Sequence, residues 1–385
     1  MRKKIKFYFL VFLFSFVLIG CGKDNSKDII NKLDSKIKNA NSYYVDGVME
    51  IINNEDTYTY DVKVSYKKDN YYKVDLVNTL NNHEQVILKN DDGVYVVTPS
   101  LNKSFKFQSD WPYNNSQIYL LDSIIDDLIN DNKIVSKKVD NGYVFSSSVN
   151  YPNNKLLYKQ NVYIDNKNNI TKVEVTDKKD NVQISMKFNK IKFNKDFDDN
   201  YFELSNLIKI DSNNNTTNDN SNNNTTNNNS NNNITNNNSS DTLENNDSNT
   251  DNASTDNKKN EEKTDSKTKN TATINDVIYP MYLPNNTTLA NKEVIDTKDG
   301  QRLILTFEGD NPFILVEETA VYQDEGLIIP VSGDLEFLTD VIGVVSDNSL
   351  TWESNGIEYY LVSDTVETSE LIEIAQSINV LPVSK

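Results

Sequence analysis

The stretch Tyr58-Thr59-Tyr60-Asp61-Val62-Lys63-Val64-Ser65-Tyr66 constrains this chain more than any other. Its even positions are aromatic or apolar and its odd positions are polar. A half-buried strand requires that period of two, and no helix can use it. The habit recurs on both sides. Tyr43, Val45, Met49 and Ile51 alternate before it, Tyr72, Val74 and Leu76 after it, and Ile184, Met186 and Phe188 within Val182–Phe193. Asp92-Gly93 separates Val86-Ile87-Leu88 from Val94-Tyr95-Val96, and Asn141-Gly142 precedes Tyr143-Val144-Phe145. Such pairs suit two-residue hairpin turns, where φ must be positive. Further strands are expected over 156–164 and 170–176. The pattern predicts a long antiparallel sheet with one buried and one polar face.

Two helices accompany the strands. Ile30, Leu33, Ile37 and Ala40 fall at helical spacing, so residues 26–40 read as a helix capped by Ser26 or Asn25. Ile118, Leu121, Ile124, Ile125 and Leu128 mark a second helix over 116–131, after a bend forced at Trp111-Pro112. A helical turn over 198–204 closes this region. Each helix has one apolar stripe and must lie on something.

Residues 211–273 are a different material. Asn, Ser, Thr and Asp fill them, and Ile234, Leu243 and two Ala are almost all their apolar content. Such a tract cannot bury enough surface to offset chain entropy and is expected to be a disordered linker. Its Asn-X-Ser/Thr triplets are what an Asn/Ser/Thr tract contains by chance. Folded composition returns over 274–385. Strands are expected over 303–307, 313–322, 327–330, 341–345, 350–352 and 357–362, with Asn355-Gly356 as a hairpin turn. A helix follows from Thr368 or Ser369, with Leu371, Ile374, Ala375 and Ile378 on one face. This part reads as a small α+β domain.

Composition narrows the chemistry. The net charge of −18 argues against nucleic acid, whose phosphates attract Lys and Arg. It would also hold the body of the protein off an anionic bilayer. Cys21 is the one cysteine and His83 the one histidine. Disulfides, cysteine-based metal sites and multi-histidine zinc sites are therefore excluded, and no metal or cofactor is expected. No nucleophile elbow or phosphate loop is present. His83, in the polar turn Asn81-Asn82-His83-Glu84, reads as an ordinary exposed residue. Asp126-Asp127 reads as a solvated helix face. Asp165-Asn166-Lys167-Asn168-Asn169 looks like a calcium loop, but Lys167 stands at a ligand position and the glycine is missing, so a hairpin turn is expected. Nothing here signals an enzyme.

The N-terminus carries the clearest signal. Arg2, Lys3, Lys4 and Lys6 precede an apolar run from Phe7 to Ile19, too short for a membrane span. Leu18-Ile19-Gly20-Cys21 then resembles the lipobox of bacterial lipoproteins. The resemblance implies a signal peptide over 1–20, a diacylated Cys21 as the mature N-terminus, and anchorage at the extracytoplasmic face of the plasma membrane.

The order helix, long meander, inserted helix, more strands, behind a secretion signal, resembles the LolA/LolB family over 25–210. It rests on element order and on the hairpin region from Val94 to Phe107 leading to Trp111-Pro112. That family implies an open, curved antiparallel sheet, a half-barrel, with helices in its mouth. GerS-like sporulation and germination lipoproteins share the flavour, and a smaller second domain is similar to the layout of the MucB/RseB sensors. The 274–385 part resembles a small domain of unassigned function in Trp352, Gly356, Tyr359, Leu361 and the run from Glu370 to Ile378. The resemblance implies a non-enzymatic, anchored binding protein of sporulation or germination, partner to a cell-wall amidase. The alternative is an envelope-stress sensor that regulates an anti-sigma factor. Tyr60, Val62, Val64, Tyr66, Val74, Leu76, Ile184, Met186 and Phe188 share the inner face of the sheet. Two readings of them stand: a cavity facing an acyl chain or apolar peptide, or a filled core sealed by the second helix. Trp111 and Trp352 read as packing anchors.

Overall fold

The computed structural model describes residues 26–53, 56–210, 274 and 277–378. Cys21, the signal region and the 211–273 tract lie outside the described residues.

A helix, α1 (Ser26–Lys38), precedes a meander of β1 (Ser42–Asn53), β2 (Asp56–Lys67), β3 (Tyr71–Asn78), β4 (Glu84–Asn90), β5 (Gly93–Thr98) and β6 (Lys103–Phe107). After α2 (Leu121–Asn130) come β7 (Val135–Val139), β8 (Gly142–Ser148), β9 (Lys159–Asp165), β10 (Ile170–Thr176) and β11 (Val182–Phe193). The expected second helix is shorter than 116–131. Residues 116–120 instead form a turn leading into it, closed by the Leu120 N–H on the Gln117 carbonyl at 3.2 Å, with Ile118, Tyr119 and Leu120 buried. The expected turn over 198–204 is a short 3-10 turn at Leu204–Asn206.

Pairing is antiparallel throughout this meander, and β11 closes back on β1, Tyr43 opposite Phe193 and Met49 opposite Met186. A bulge at Asp46/Gly47 interrupts that ladder. There a Cβ on Gly47 would stand 2.3 Å from the Lys187 carbonyl oxygen, so only glycine fits the close approach.

The sheet is open. Its strand order is β15-β6-β5-β4-β3-β2-β1-β11-β10-β9-β8-β7, where β15 is Leu327–Val331 from the C-terminal part, and the two ends do not meet. The α+β class and the open sheet with helices on one face are as the LolA resemblance implies. On the inner face, α1 contributes Ile29, Ile30, Leu33 and Ile37, and α2 contributes Leu121, Ile124, Ile125 and Leu128, to one core with the strand residues. On the outer face, Val86, Leu88, Tyr95 and Val97 pack against Phe202, Leu204 and Ile208. That explains the unbroken apolar runs of β4 and β5: both faces are covered there.

The C-terminal part forms a second, seven-stranded sheet from β12 (Thr287–Thr297), β13 (Gly300–Gly309), β14 (Phe313–Thr319), β16 (Asp334–Phe337), β17 (Ile342–Ser346), β18 (Ser349–Ser354) and β19 (Ile357–Val362). α3 (Thr368–Gln376) lays Leu371, Ile372, Ile374 and Ala375 on it. Stacked Phe307–Phe313 and Trp352–Tyr359 rings, 4.3 and 4.8 Å apart, lie in this core. β12 and β16 were not legible in the pattern: β12 is exposed on both faces, and β16 is only four residues long.

One strand departs from the expected grouping. β15 (Leu327–Val331) pairs in parallel with β6 of the first sheet, Leu327 opposite Lys103 and Val331 opposite Phe107. Its Pro330 is tolerated because β15 is an edge, where a missing N–H breaks no second ladder.

Candidate functional site

The inner face of the first sheet gathers the nine positions singled out in the sequence. Val62, Val64, Val74, Leu76 and Met186 are at most 2% exposed, and Tyr60, Ile184 and Phe188 are also buried. Tyr66 is half-buried and packs against the same core. The face is covered in two different ways.

The first cover is the helix pair. Asp122, in the first turn of α2, accepts hydrogen bonds from the Tyr43 and Tyr72 hydroxyls, each 2.7 Å. Tyr66 stacks on Tyr43 at 4.8 Å and leans on Tyr72 at 5.0 Å, and Tyr72 meets the edge of the buried Trp111. Burial pushes the Asp122 carboxyl up, and the two hydroxyls pull it back down. The other contacts between helices and sheet are mostly apolar, with the Gln160 amide donating to the Ile124 carbonyl at 3.1 Å.

The second cover is the β16–β17 hairpin. Leu335, Ile342 and Val344 are buried in the first sheet's core, with Phe337 and Val331 packed against it. Side chains of the first sheet read the main chain at the hairpin tip. The Gln85 amide donates to the Ile342 carbonyl at 3.2 Å and its oxygen accepts the Ile342 N–H at 2.6 Å. That is the pairing a neighbouring strand would make, supplied by a side chain. The Tyr60 hydroxyl donates to the Thr339 carbonyl at 3.3 Å. The Asn53 amide donates to Thr339 Oγ1 at 3.3 Å and to the Gln376 carbonyl at 3.1 Å.

Charged groups ring this grip. His83 is not the exposed residue that its polar turn suggests. Its side chain is 12% exposed and Nε2 stands 3.4 Å from Glu353 Oε2 on β18. Neither atom makes a hydrogen bond among the described residues. Local sequence could not show this, because 270 residues of chain separate the partners. Burial lowers His83, partly opposed by Asp340. Burial lifts Glu353 to about 7, although the Gly356 N–H favours the charged form. Asp340 is also raised by burial and hydrogen-bonds the Ser354 hydroxyl. Farther along β16, Glu336 is lifted to about 7 by burial, with the Asn153 amide 3.3 Å away. At the outer edge Lys103 pairs with Glu358 at 2.6 Å, and Asn81 donates to Asn355 at 3.0 Å.

Beside the hairpin lies a cavity of about 60 Å³, lined by Met49, Ile118, Tyr119, Ile184, Leu335 and Phe337 among others, with Glu336 in its wall. Pockets for drug-sized ligands run from roughly 300 to 1,000 Å³. This space takes a small apolar side chain. Of the nine positions, Ile184 lines it.

Two expectations from turns and helix faces resolve at the periphery. Asp165 accepts the Lys167 and Asn169 N–H groups at 2.8 Å each, so the calcium-like run is an Asx-type hairpin turn. Asp127 is not fully solvated: burial raises it to about 6.

One face of the open antiparallel sheet is thus covered by a helix pair and by a hairpin held through its main chain. Comparison with known proteins gives the family. The sporulation protein YdcC-like model matches residues 1–202. The chain is 31% identical over 363 residues to sporulation protein YdcC of Bacillus subtilis (strain 168), covering 94% of this chain and 93% of that protein. The chain belongs to the YdcC-like sporulation protein family. Among solved structures it is similar to MucB, at 12% identity and a TM-score of 0.31, over 92% of this chain and 98% of that one. It is also similar to the Clostridioides difficile complex of the CwlD amidase with the GerS lipoprotein, at 19% identity and a TM-score of 0.25, over 45% of this chain and 94% of that one. The family assignment rests on the sequence relationships.

Proposed function

We propose that this protein is a non-enzymatic binding protein of the cell envelope that acts in sporulation or germination. In this reading Cys21 carries the lipid and holds the chain at the extracytoplasmic face of the plasma membrane. Residues 25–210 and 274–385 act as two binding parts joined by 211–273. The observation that carries the binding role is the grip of Gln85, Tyr60 and Asn53 on main-chain atoms, which suits recognition of a polypeptide. The relation to a sporulation protein over nearly the whole chain supports the process. A protein partner is favoured over an acyl ligand, because the inner face is filled and the cavity is about 60 Å³.

The resemblance to GerS-like lipoproteins makes a cell-wall amidase the first partner to test, and an anti-sigma factor, by the MucB/RseB layout, the second. The test is affinity capture of the anchored protein from sporulating and vegetative cells, with Cys21→Ser as the unanchored control. Recovery of an amidase from sporulating cells supports the reading. Recovery of an anti-sigma factor instead moves it to the sensor. Turnover of a cell-wall substrate by the purified chain alone defeats it.

A further inference from the structure

The hairpin of β16 and β17 sits on the first sheet as a ligand sits in a site. It is short, residues 334–346, lies between β15 and β18 in sequence, and forms the edge of the second sheet, with β17 paired to β18 and Leu338, Val341 and Val345 in the second core. Its apolar residues come in alternate pairs, Leu335 with Phe337 and Ile342 with Val344, all turned into a core otherwise built by the first sheet and its helices. Its tip is read through main-chain atoms by Gln85 and Tyr60. Main-chain reading with pockets for alternate side chains is how one polypeptide recognises an extended segment of another. The inner face thus holds a segment of this chain both through its main chain and through its alternate apolar side chains.

The two attachments of the C-terminal part differ in kind. β15 is fixed to β6 by a five-residue parallel ladder. The hairpin seat, in contrast, holds groups that are poorly satisfied by their surroundings. His83 from the first sheet faces Glu353 and Asp340 from the second, with Glu84 beside it on its own turn. Glu358 and Lys103 lie next to Glu353. Glu336 is buried in the hairpin itself with one amide partner. Interfaces between parts of one chain that carry such polar content behave like transient ones, and buried charged groups with imperfect partners reduce what the apolar contacts supply.

We infer that the 334–346 hairpin is a resident, exchangeable occupant of the inner face, and that the protein's partner binds there by replacing it. The inference rests on the protein-binding reading above and adds the kind of partner. That partner presents an extended segment with apolar residues at alternate positions, and a free main-chain N–H and C=O at the level of Gln85. β15 stays paired with β6 while the hairpin lifts off together with the β18 edge it is hydrogen-bonded to, so the C-terminal sheet stays tethered through β15 during exchange.

The probe is a labelled synthetic peptide of residues 334–346, titrated against the full chain carrying Cys21→Ser. Replacement predicts weak capture by the native hairpin-filled protein. It predicts capture about tenfold tighter when Ile342→Ala and Val344→Ala weaken the resident hairpin, since apparent affinity scales with the open fraction. A peptide carrying Ile342→Asp should not bind. Joining Asn81→Cys to Asn355→Cys as a disulfide with an added oxidant should abolish capture, and dithiothreitol should restore it. Capture that persists in the locked protein, or equal capture by native and weakened proteins, overturns the inference. Should the double alanine variant unfold, hydrogen exchange on the native protein decides. The Ile342 amide must exchange faster than the paired amides of β1 and β2, and a common rate overturns the inference. Because the probe is this chain's own segment, the result is independent of whether an envelope partner is ever recovered.

Discussion

The inner face of one sheet has two covers, and they are built on opposite principles. The α1–α2 cover is mainly apolar; its buried carboxylate Asp122 is answered by two tyrosine hydroxyls, and Asp127 lies partly buried on the same helix. The β16–β17 cover is half apolar, is held by main-chain hydrogen bonds, and is bordered by His83, Asp340, Glu353 and Glu336. A largely apolar cover gains from every methylene it hides. A cover that buries ionisable groups is only as strong as their protonation allows. The comparison teaches which of the two layers this molecule can open without unfolding.

The largest effect is expected on the helix side. Leu128→Ala removes a side chain that is 1% exposed beneath α2. It should lower global stability by about 2–5 kcal/mol, read by denaturant unfolding. If that substitution loosened only the C-terminal part, the contrast between the covers would fail.

Asp122→Leu comes next. It leaves the Tyr43 and Tyr72 hydroxyls without their acceptor, and each orphaned group costs about 1–3 kcal/mol. The loss should again appear in global unfolding, with the tyrosine near-ultraviolet signal changed before the transition.

On the polar side, the sign of the pH dependence is set by the groups that titrate. Glu336 and Glu353, raised to about 7, favour the seated hairpin most at acid pH and lose that contribution as pH rises through about 7. His83, lowered by burial, contributes above its usual value of about 6.5 and loses that as pH falls below it. The two effects oppose each other near pH 6.5, but above about pH 7 the His83 contribution is nearly complete while the carboxylates still lose theirs, so the hairpin should loosen as pH rises from 7 to 8. Faster hydrogen exchange over 334–346 at pH 8 than at pH 7, after correction for intrinsic rates, is the expected outcome. His83→Gln should keep that trend and remove the weakening on the acid side. An unchanged profile in 334–346, with β1 and β2 exchanging equally, would erase the distinction.

The smallest effect belongs to the outer edge. Asn81→Ala removes the amide contact to Asn355 and the turn bond from the His83 N–H to Asn81 Oδ1, and should change stability by about 0.5–1.5 kcal/mol. A larger loss would mean that the seam is held at its rim instead of at Gln85.

Much of the first sheet was legible because its strands are local and amphipathic. Tyr58–Tyr66 alternates in sequence and is half-buried in space, and the hairpin signals at Asp92-Gly93, Asn141-Gly142 and Asn355-Gly356 all fall between paired strands. The burial of Val62, Val64, Val74 and Met186 followed from the same period. His83 was misread because its environment comes from Glu353 and Asp340, far along the chain. Gln85 gave no signal at all: a polar residue at the start of an apolar run looks like a strand boundary. What marks it is a hydrogen-bonding partner that only the folded chain supplies.

The sequence by itself determined the alternation, the turns and the helix stripes. These depend on neighbours one to four residues away, which is the range that hydrophobic periodicity reports. Tertiary structure alone decided that β15 joins the first sheet and that the 334–346 hairpin fills the inner face. Those choices pair residues more than 200 positions apart. Nothing in a local pattern encodes which distant strand will complete a sheet, because many apolar strands satisfy the same edge and only the packed whole selects one.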